Sequence, residues 1–301
     1  MAKNTLEKIF YEFNKNRIKY CIRGKYRHLP KTLNGGDVDT LIERKDFPQA
    51  LKIIRKLGFK FYPHTDPNLF YFYYDFQLGL VHLDILLIEK MVPIKKHKTF
   101  FIPADEKPIP NRKNFLWKIK TSIMRKLHYL FRGPVIVFEG PDGSGKSSNL
   151  REVLEAIKRI KLKKDKVHFA TPFKGNRKPS SLDRLISRTR SLLRVYKNKI
   201  LGRVSITDRY IYLTFRKSNP LLRKLLRFLA PKPTLVFVMK ASIKTIRRRK
   251  KGQRDNLSPE ELRELYRVYD SIPRAKFIDT EKPIKENLGT MVNLMLEKTL
   301  I

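Results

Sequence analysis

Apolar and polar positions alternate along this chain in two regimes, separated by a proline-rich stretch. Residues 3 to 16 predict a short helix and Lys19-Tyr20-Cys21-Ile22 a strand, followed by a polar loop and a second strand from Asp37 to Ile42. A helix from about Phe47 to Leu57 ends at Gly58, and Tyr71 to Phe76 and Leu80 to Ile88 predict paired strands joined at Gln77-Leu78-Gly79. Together these make a small α+β unit. Pro93, Pro103, Pro108 and Pro110 lie among many charges between 93 and 113, which predicts an extended linker. From Asn114 to Arg132, Phe115, Ile119, Ile123, Leu127 and Phe131 recur at every fourth position with basic residues between them, the pattern of a basic amphipathic helix.

Beyond residue 133 the elements alternate. The pattern predicts a helix over about 146–160, a strand from Val167 to Ala170, a helix near 181–199 and a strand at Val204-Ser205-Ile206-Thr207. It continues with a helical segment near 211–229, the strand Thr234 to Met239, helices near 242–251 and 258–271, the strand Lys276-Phe277-Ile278 and a last helix over about 284–296. Strands this apolar, each followed by a helix, predict a buried parallel sheet with helices on both faces and ligands at the C-terminal strand ends. The fold class expected is α/β, with a small α+β domain in front. The expected domains are 1–92, a linker with its basic helix over 93–132, and 133–301.

Lys and Arg number 67 against 28 Asp and Glu in 301 residues, a net charge of +39, so the partners favoured are anionic: nucleotides, nucleic acid or an anionic membrane surface. The basic helix at 114–132 fits a connector packed on the domains or adsorption to an anionic bilayer, and Leu221 to Leu229 is a second basic apolar segment. Cys21 is the single cysteine, which excludes an intramolecular disulfide and leaves no Cys-based zinc site; the six histidines have no zinc spacing. The first residues lack the apolar core of a signal peptide, and no stretch approaches the ~18 apolar residues of a membrane span. A soluble, cytoplasmic protein is expected.

The chemistry concentrates at Gly140-Pro141-Asp142-Gly143-Ser144-Gly145-Lys146-Ser147, which follows the apolar run Pro134-Val135-Ile136-Val137-Phe138 and opens a helix. A strand ending in such a turn aims successive backbone N–H groups and a helix N-terminus at one point, where phosphate replaces water. Lys146 would reach the outer phosphates of ATP, and the Ser147 hydroxyl would reach magnesium. Asp208-Arg209-Tyr210 follows another apolar strand, so Asp208 can hold magnesium or its waters and Arg209 can make a bidentate contact with an acceptor phosphate. Arg247-Arg248-Arg249-Lys250-Lys251-Gly252-Gln253-Arg254 is either a solvated basic face or a segment that closes over the nucleotide.

These residues resemble the thymidylate kinase family of P-loop kinases over roughly residues 133 to 299. Phe138 to Ser148 is similar to that family's first motif, Ile206 to Tyr210 to its second, and 247–254 to its lid. The resemblance implies an ATP-binding set of Gly140, Asp142, Gly143, Ser144, Gly145, Lys146, Ser147 and Ser148. It implies that Asp142 faces the acceptor and Arg209 grips its phosphate. Gly143 stands where some members carry arginine, which would place the catalytic arginine in the lid, at Arg248. Arg188 or Arg190 would match an acceptor-binding arginine, and a dimer is common in the family. Ala170-Thr171-Pro172-Phe173 and Ile211 to Arg216 depart from the family on the acceptor side, so phosphoryl donation is better supported than thymidylate as acceptor.

In the front domain, Asp37 and Asp39 stand at i and i+2 of a strand, and Asp84 offers a third carboxylate from a neighbouring strand. Three such acids can hold two magnesium ions for attack on an α-phosphate. With Arg23-Gly24-Lys25 upstream, the arrangement resembles the polymerase-β-like nucleotidyltransferase fold over roughly residues 1 to 90, either active or reduced to substrate binding. The function expected is ATP-dependent phosphotransfer with an accessory nucleotidyltransferase-like domain. Nucleic-acid end processing and a membrane-associated ATP-binding protein are the alternatives.

Overall fold

The computed structural model describes residues 4–23, 28–33, 36–62, 69–94, 97–103, 133–160, 162–169, 180–210, 228–250 and 257–300. Contacts divide the chain into two compact units, 1–127 with 300–301, and 128–299.

In the first unit the order is α1 (Thr5–Lys15), β1 (Tyr20–Ile22), β2 (Val38–Glu43), α2 (Phe47–Lys56), β3 (Lys60–Tyr62), β4 (Leu69–Asp75) and β5 (Gly79–Ile88). The five strands form one sheet in the order β1-β2-β5-β4-β3, antiparallel except where β2 runs parallel to β5. Leu6, Ile9 and Phe13 of α1 and Ala50 and Ile54 of α2 pack with Val38, Ile42, Val81, Leu83 and Ile85 on one face. Side chains alternate along a strand, so Asp37, Asp39, His82 and Asp84 belong to the other face. Asn4 caps α1 by accepting from Glu7 N at 2.9 Å. The buried Asp75 at the end of β4 accepts from Thr5 N at 2.8 Å and Thr5 Oγ1 at 2.6 Å, tying helix to sheet.

Two expectations are corrected here. β3 is a strand the sequence pattern did not suggest, and the stretch read as the start of a linker is in part a hairpin, β6 (Met91–Ile94) with β7 (His97–Pro103). Pro93 and Pro103 tolerate this because a two-stranded sheet leaves one edge of each strand unpaired, where a missing N–H costs nothing. The helix expected at 114–132 lies outside the described residues, as do most of 211–229, Gly24, Lys25, Ala170 to Phe173 and lid residues 251–254.

The second unit contains β8 (Val135–Glu139), α3 (Lys146–Ala156), β9 (Lys164–His168), α4 (Ser181–Ile200), β10 (Val204–Asp208), β11 (Leu235–Lys240), α5 (Ile243–Arg249), α6 (Pro259–Asp270), β12 (Ala275–Asp279) and α7 (Ile284–Thr299). Its five strands are all parallel, ordered β12-β11-β8-β10-β9, with β8 at the centre. Every residue of β8 and β10 is buried, while β9 and β12 at the edges each bury one. Helices cover both faces: Val195 of α4 and Leu265 and Tyr269 of α6 pack with Val135, Val137, Val236 and Val238, whereas α3 and α7 pack on each other and on β8, β10 and β11. The chain leaves β8 towards β10 and β9 on one side and later returns to β11 and β12 on the other. That reversal opens a crevice beyond the C-terminal end of β8.

The strand expected at Val167 to Ala170 is β9, beginning three residues earlier. At a sheet edge only Val167 is buried, so Lys164, Asp165 and Lys166 carry no apolar signal. Arg194 instead makes a bidentate pair with Asp165, at 2.7 and 2.5 Å, and fastens α4 to that edge.

Candidate phosphate-binding site

β8 ends at Glu139, and the chain turns at Gly140 (φ 146°), Gly143 (φ 88°) and Gly145 (φ 84°) before α3 begins at Lys146. These backbone angles favour glycine, and at Gly140 a Cβ would also lie 2.9 Å from the Met239 carbonyl oxygen. The turn closes through Ser144 N donating to Pro141 O at 3.1 Å, and Asn149 Nδ2 donates back to Gly145 O at 2.9 Å. The first N–H groups of α3 therefore face a cavity of about 590 Å³. Its walls include Asp142, Lys146, Ser147 and Ser148 from the loop, Arg249 and Lys250 from the end of α5, and Thr280 and Asn287 beyond β12.

Lys146 is buried, with its Nζ 3.8 Å from Asp142 Oδ1 and 3.9 Å from Asp208 Oδ1. Burial, then the nearby Arg209, hold its pKa below the ordinary lysine value, against the pull of Asp208, Asp142 and Glu139. Arg209 stands in the left-handed region at φ 66° and donates through Nη2 to Asp142 Oδ1. Burial raises the Asp142 carboxyl, but Arg209 and Lys146 outweigh it and keep the group below the usual carboxylate range. The Asp208 carboxyl is likewise held low: burial opposes, while His168 and Lys146 prevail. His168, which the sequence reading did not single out, places Nδ1 3.3 Å from Asp208 Oδ2.

Glu139 is a second residue that reading passed over. Fully buried, it accepts from Tyr210 N through Oε1 at 2.7 Å, and burial pushes its carboxyl up to about 8 despite Tyr210 N, Lys146 and Arg209. At neutral pH it is mostly a neutral acid, which lets it sit beside Asp208 without mutual repulsion. Tyr269, buried on α6, has its hydroxyl raised well above its ordinary value by burial, then by Glu139.

Arg249 bridges Gly143 O and Thr280 O, at 3.2 Å each, and lines the cavity with Lys250, whereas Arg248 is not in its lining. Only helix phase separates the two, and Arg247-Arg248-Arg249-Lys250 gives no clue to it. Glu281 holds the other end of α5 by accepting from Ser242 Oγ at 2.8 Å and from Thr245 Oγ1.

The donor set fits magnesium and a nucleotide. Oδ1 of Asp208 is buried without a hydrogen-bond partner among the described residues, and Ser144 Oγ is likewise buried and unpartnered. Hard oxygen donors of this kind suit magnesium or its water shell, and the loop N–H groups suit phosphate. Arg190 is exposed on α4, and Arg188 has its Nε buried.

In the first unit, Asp39 and Asp84 are register partners in the parallel β2/β5 pair, so they share a face and a level of the sheet. One step along the same face, Asp37 has its Oδ1 2.9 Å from Nδ1 of His82, whose ring stacks on Phe72 at 4.4 Å. Among the described residues no three His, Cys, Asp or Glu side chains converge to hold a metal ion. Among those residues, too, no helix is long and apolar enough to cross a membrane.

No family model matches the chain, and no curated protein matches it. Among solved structures it is similar to a thymidylate kinase from Ehrlichia chaffeensis, with 17% identity and a TM-score of 0.39 over 55% of this chain and 98% of that one. A likeness this distant carries no functional weight, so function rests on the loop geometry: a phosphate cradle, a buried lysine between two aspartates, and an arginine clasped at its rim.

Proposed function

We propose that the second unit transfers the γ-phosphoryl group of ATP to a phosphorylated or hydroxyl acceptor, with nucleoside monophosphates the first class to try. The observation that carries this is the placement of Lys146 between Asp142 and Asp208 at the head of the phosphate loop, with Arg209 held over the same point by Asp142. Lys146 and the loop N–H groups would bind the β- and γ-phosphates, and Arg249 would add positive charge from the lid side. Arg209, already oriented by a carboxylate, would take the acceptor's phosphate as a planar, two-pronged donor. Magnesium, held through Ser147 and Asp208, would neutralise charge on the phosphates. Because this chemistry is mostly positioning and electrostatics, loss of one organising charge should be severe.

The test is transfer of label from γ-labelled ATP to a panel of nucleoside monophosphates, sugars, lipid phosphates and RNA ends. Lys146→Ala should abolish the transfer that the unaltered chain shows. Full activity in that variant would refute the assignment. For the first unit, the shared level of Asp39 and Asp84 favours nucleotidyl transfer as a second reading. Transfer from α-labelled ATP that survives Asp39→Ala would remove it.

A further inference from the structure

We infer that Glu139 is a positioning residue for Arg209, holding through the Tyr210 N–H the left-handed turn that carries the guanidinium to Asp142. β8 and β10 pair in parallel up to Phe138 and Asp208, and Arg209 N still donates to Phe138 O at 2.9 Å. The left-handed turn at Arg209 brings the next N–H, that of Tyr210, back towards the end of β8, where it donates to Oε1 of Glu139 at 2.7 Å. A left-handed non-glycine residue is strained and persists only where its surroundings fix it. Arg209 is fixed on both sides, by its own N–H on β8 and by its neighbour's N–H on Glu139.

Tyr210 does not depend on this bond for its place. Its ring packs on Phe169 at 5.1 Å and its hydroxyl donates to Pro231 O at 2.6 Å. Loss of the Glu139 acceptor should therefore leave the core intact while the peptide between Arg209 and Tyr210 rotates. Arg209 then leaves the left-handed region, and its side chain leaves Asp142. The carboxyl group is well suited to the task, since full burial keeps other donors and water away from Oε1. The effect on catalysis rests on the phosphotransfer reading above; the effect on Arg209 itself does not.

The experiment compares the full chain with Glu139→Gln and Glu139→Ala by two readouts. The first is the arginine side-chain Nε–Hε NMR spectrum, in which the Arg209 signal is identified by its loss in Arg209→Lys. Glu139→Ala should shift this signal to the position of a solvent-exposed arginine, and Glu139→Gln, which keeps an acceptor oxygen, should restore it. The second is label transfer from ATP to the best acceptor of the panel. Glu139→Ala should raise the acceptor KM about tenfold or more, the loss of one charge-assisted contact, with the ATP KM within about twofold of the parent. Should Glu139→Ala fail to fold, Glu139→Asp, too short by one methylene to reach Tyr210 N, takes its place. An unmoved Arg209 signal, or a Gln variant as impaired as the Ala variant, overturns the proposal. If no acceptor is labelled by the parent chain, the phosphotransfer reading fails, while the NMR result still decides the role of Glu139.

Discussion

Replacing Gly140 and Gly143 in turn by alanine separates two costs that a glycine-rich loop normally confounds. At both positions φ is positive, so an alanine is strained by about 1–2 kcal/mol. At Gly143 the nearest atom to a new Cβ is Lys250 Cγ at 3.0 Å, part of a flexible side chain that can swing away. At Gly140 the new Cβ would lie 2.6 Å from Ser144 Oγ, 2.9 Å from the Met239 carbonyl oxygen and 3.0 Å from Met239 Cβ. Met239 belongs to β11, which pairs directly with β8, so its carbonyl cannot retreat without disturbing the centre of the sheet. Overpacking of that kind adds about 1–3 kcal/mol. Gly140→Ala should thus cost roughly 2–5 kcal/mol and Gly143→Ala about 1–2. In a unit of this size each kcal/mol lowers Tm by roughly 2–4 °C. Thermal unfolding followed by circular dichroism should show a drop for Gly140→Ala larger by several degrees, accompanied by loss of ATP binding. Equal drops would refute the claim that backbone approach, rather than φ alone, requires glycine at 140.

Three further outcomes follow from the same structure. Glu139 binds its proton more tightly folded (about 8) than at the ordinary value of 4.5, so its stabilising contribution is complete below about pH 4.5 and is lost as pH rises through 8, a change of roughly 5 kcal/mol; denaturant midpoints at pH 5.5 and 8.5 should therefore diverge in the parent chain and converge in Glu139→Gln, and parallel slopes would count against the burial argument. Burial raises the Asp75 carboxyl, but bonds from Thr5, Leu78 and Gln77 prevail and hold it low, so its contribution is present above the unfolded carboxylate value and lost as pH falls; Asp75→Ala should cost the first unit about 1–3 kcal/mol at neutral pH, read by hydrogen exchange on α1, and unchanged protection would refute it. Tyr266 accepts from Ala241 N at 3.1 Å and donates to Ala241 O at 2.7 Å; Tyr266→Phe should destabilise the second unit by about 1–2 kcal/mol in urea, and a midpoint equal to the parent's would show these bonds to be idle.

What could be read in the sequence follows burial and locality. β8 and β11 are buried on both faces, so Val135-Ile136-Val137-Phe138 and Leu235-Val236-Phe237-Val238-Met239 stand out as apolar runs. β9, at the edge, hides behind Lys164 and Lys166, and β6 and β7 hide behind prolines that a two-stranded sheet tolerates. The phosphate loop is legible because all its parts are adjacent in the chain. Glu139, His168, Thr280 and Asn287 are not, since each matters through a partner or cavity assembled from distant segments. Glu139 had one local sign: it is a lone charge closing an otherwise apolar buried strand. The face shared by Asp39 and Asp84 could be read from alternation, but the turning of Asp37 towards His82 depends on cross-strand register, which a single strand does not encode.

The central position of β8 has a consequence for the chain as it is made. Both of its neighbours come later: Tyr210, which bonds Glu139, is 71 residues on, and Thr234, which bonds Val135, is 99 residues on. At ordinary rates of synthesis the apolar β8 segment would wait roughly 5–20 s for its second flank. During that interval at least one edge of this largely apolar strand is unpaired, the kind of segment that chaperones capture and that aggregates when they are scarce. The first unit has no such delay, because its five-stranded sheet is complete by Ile88. Nascent chains arrested between β10 and β11 should therefore be the most dependent on chaperones.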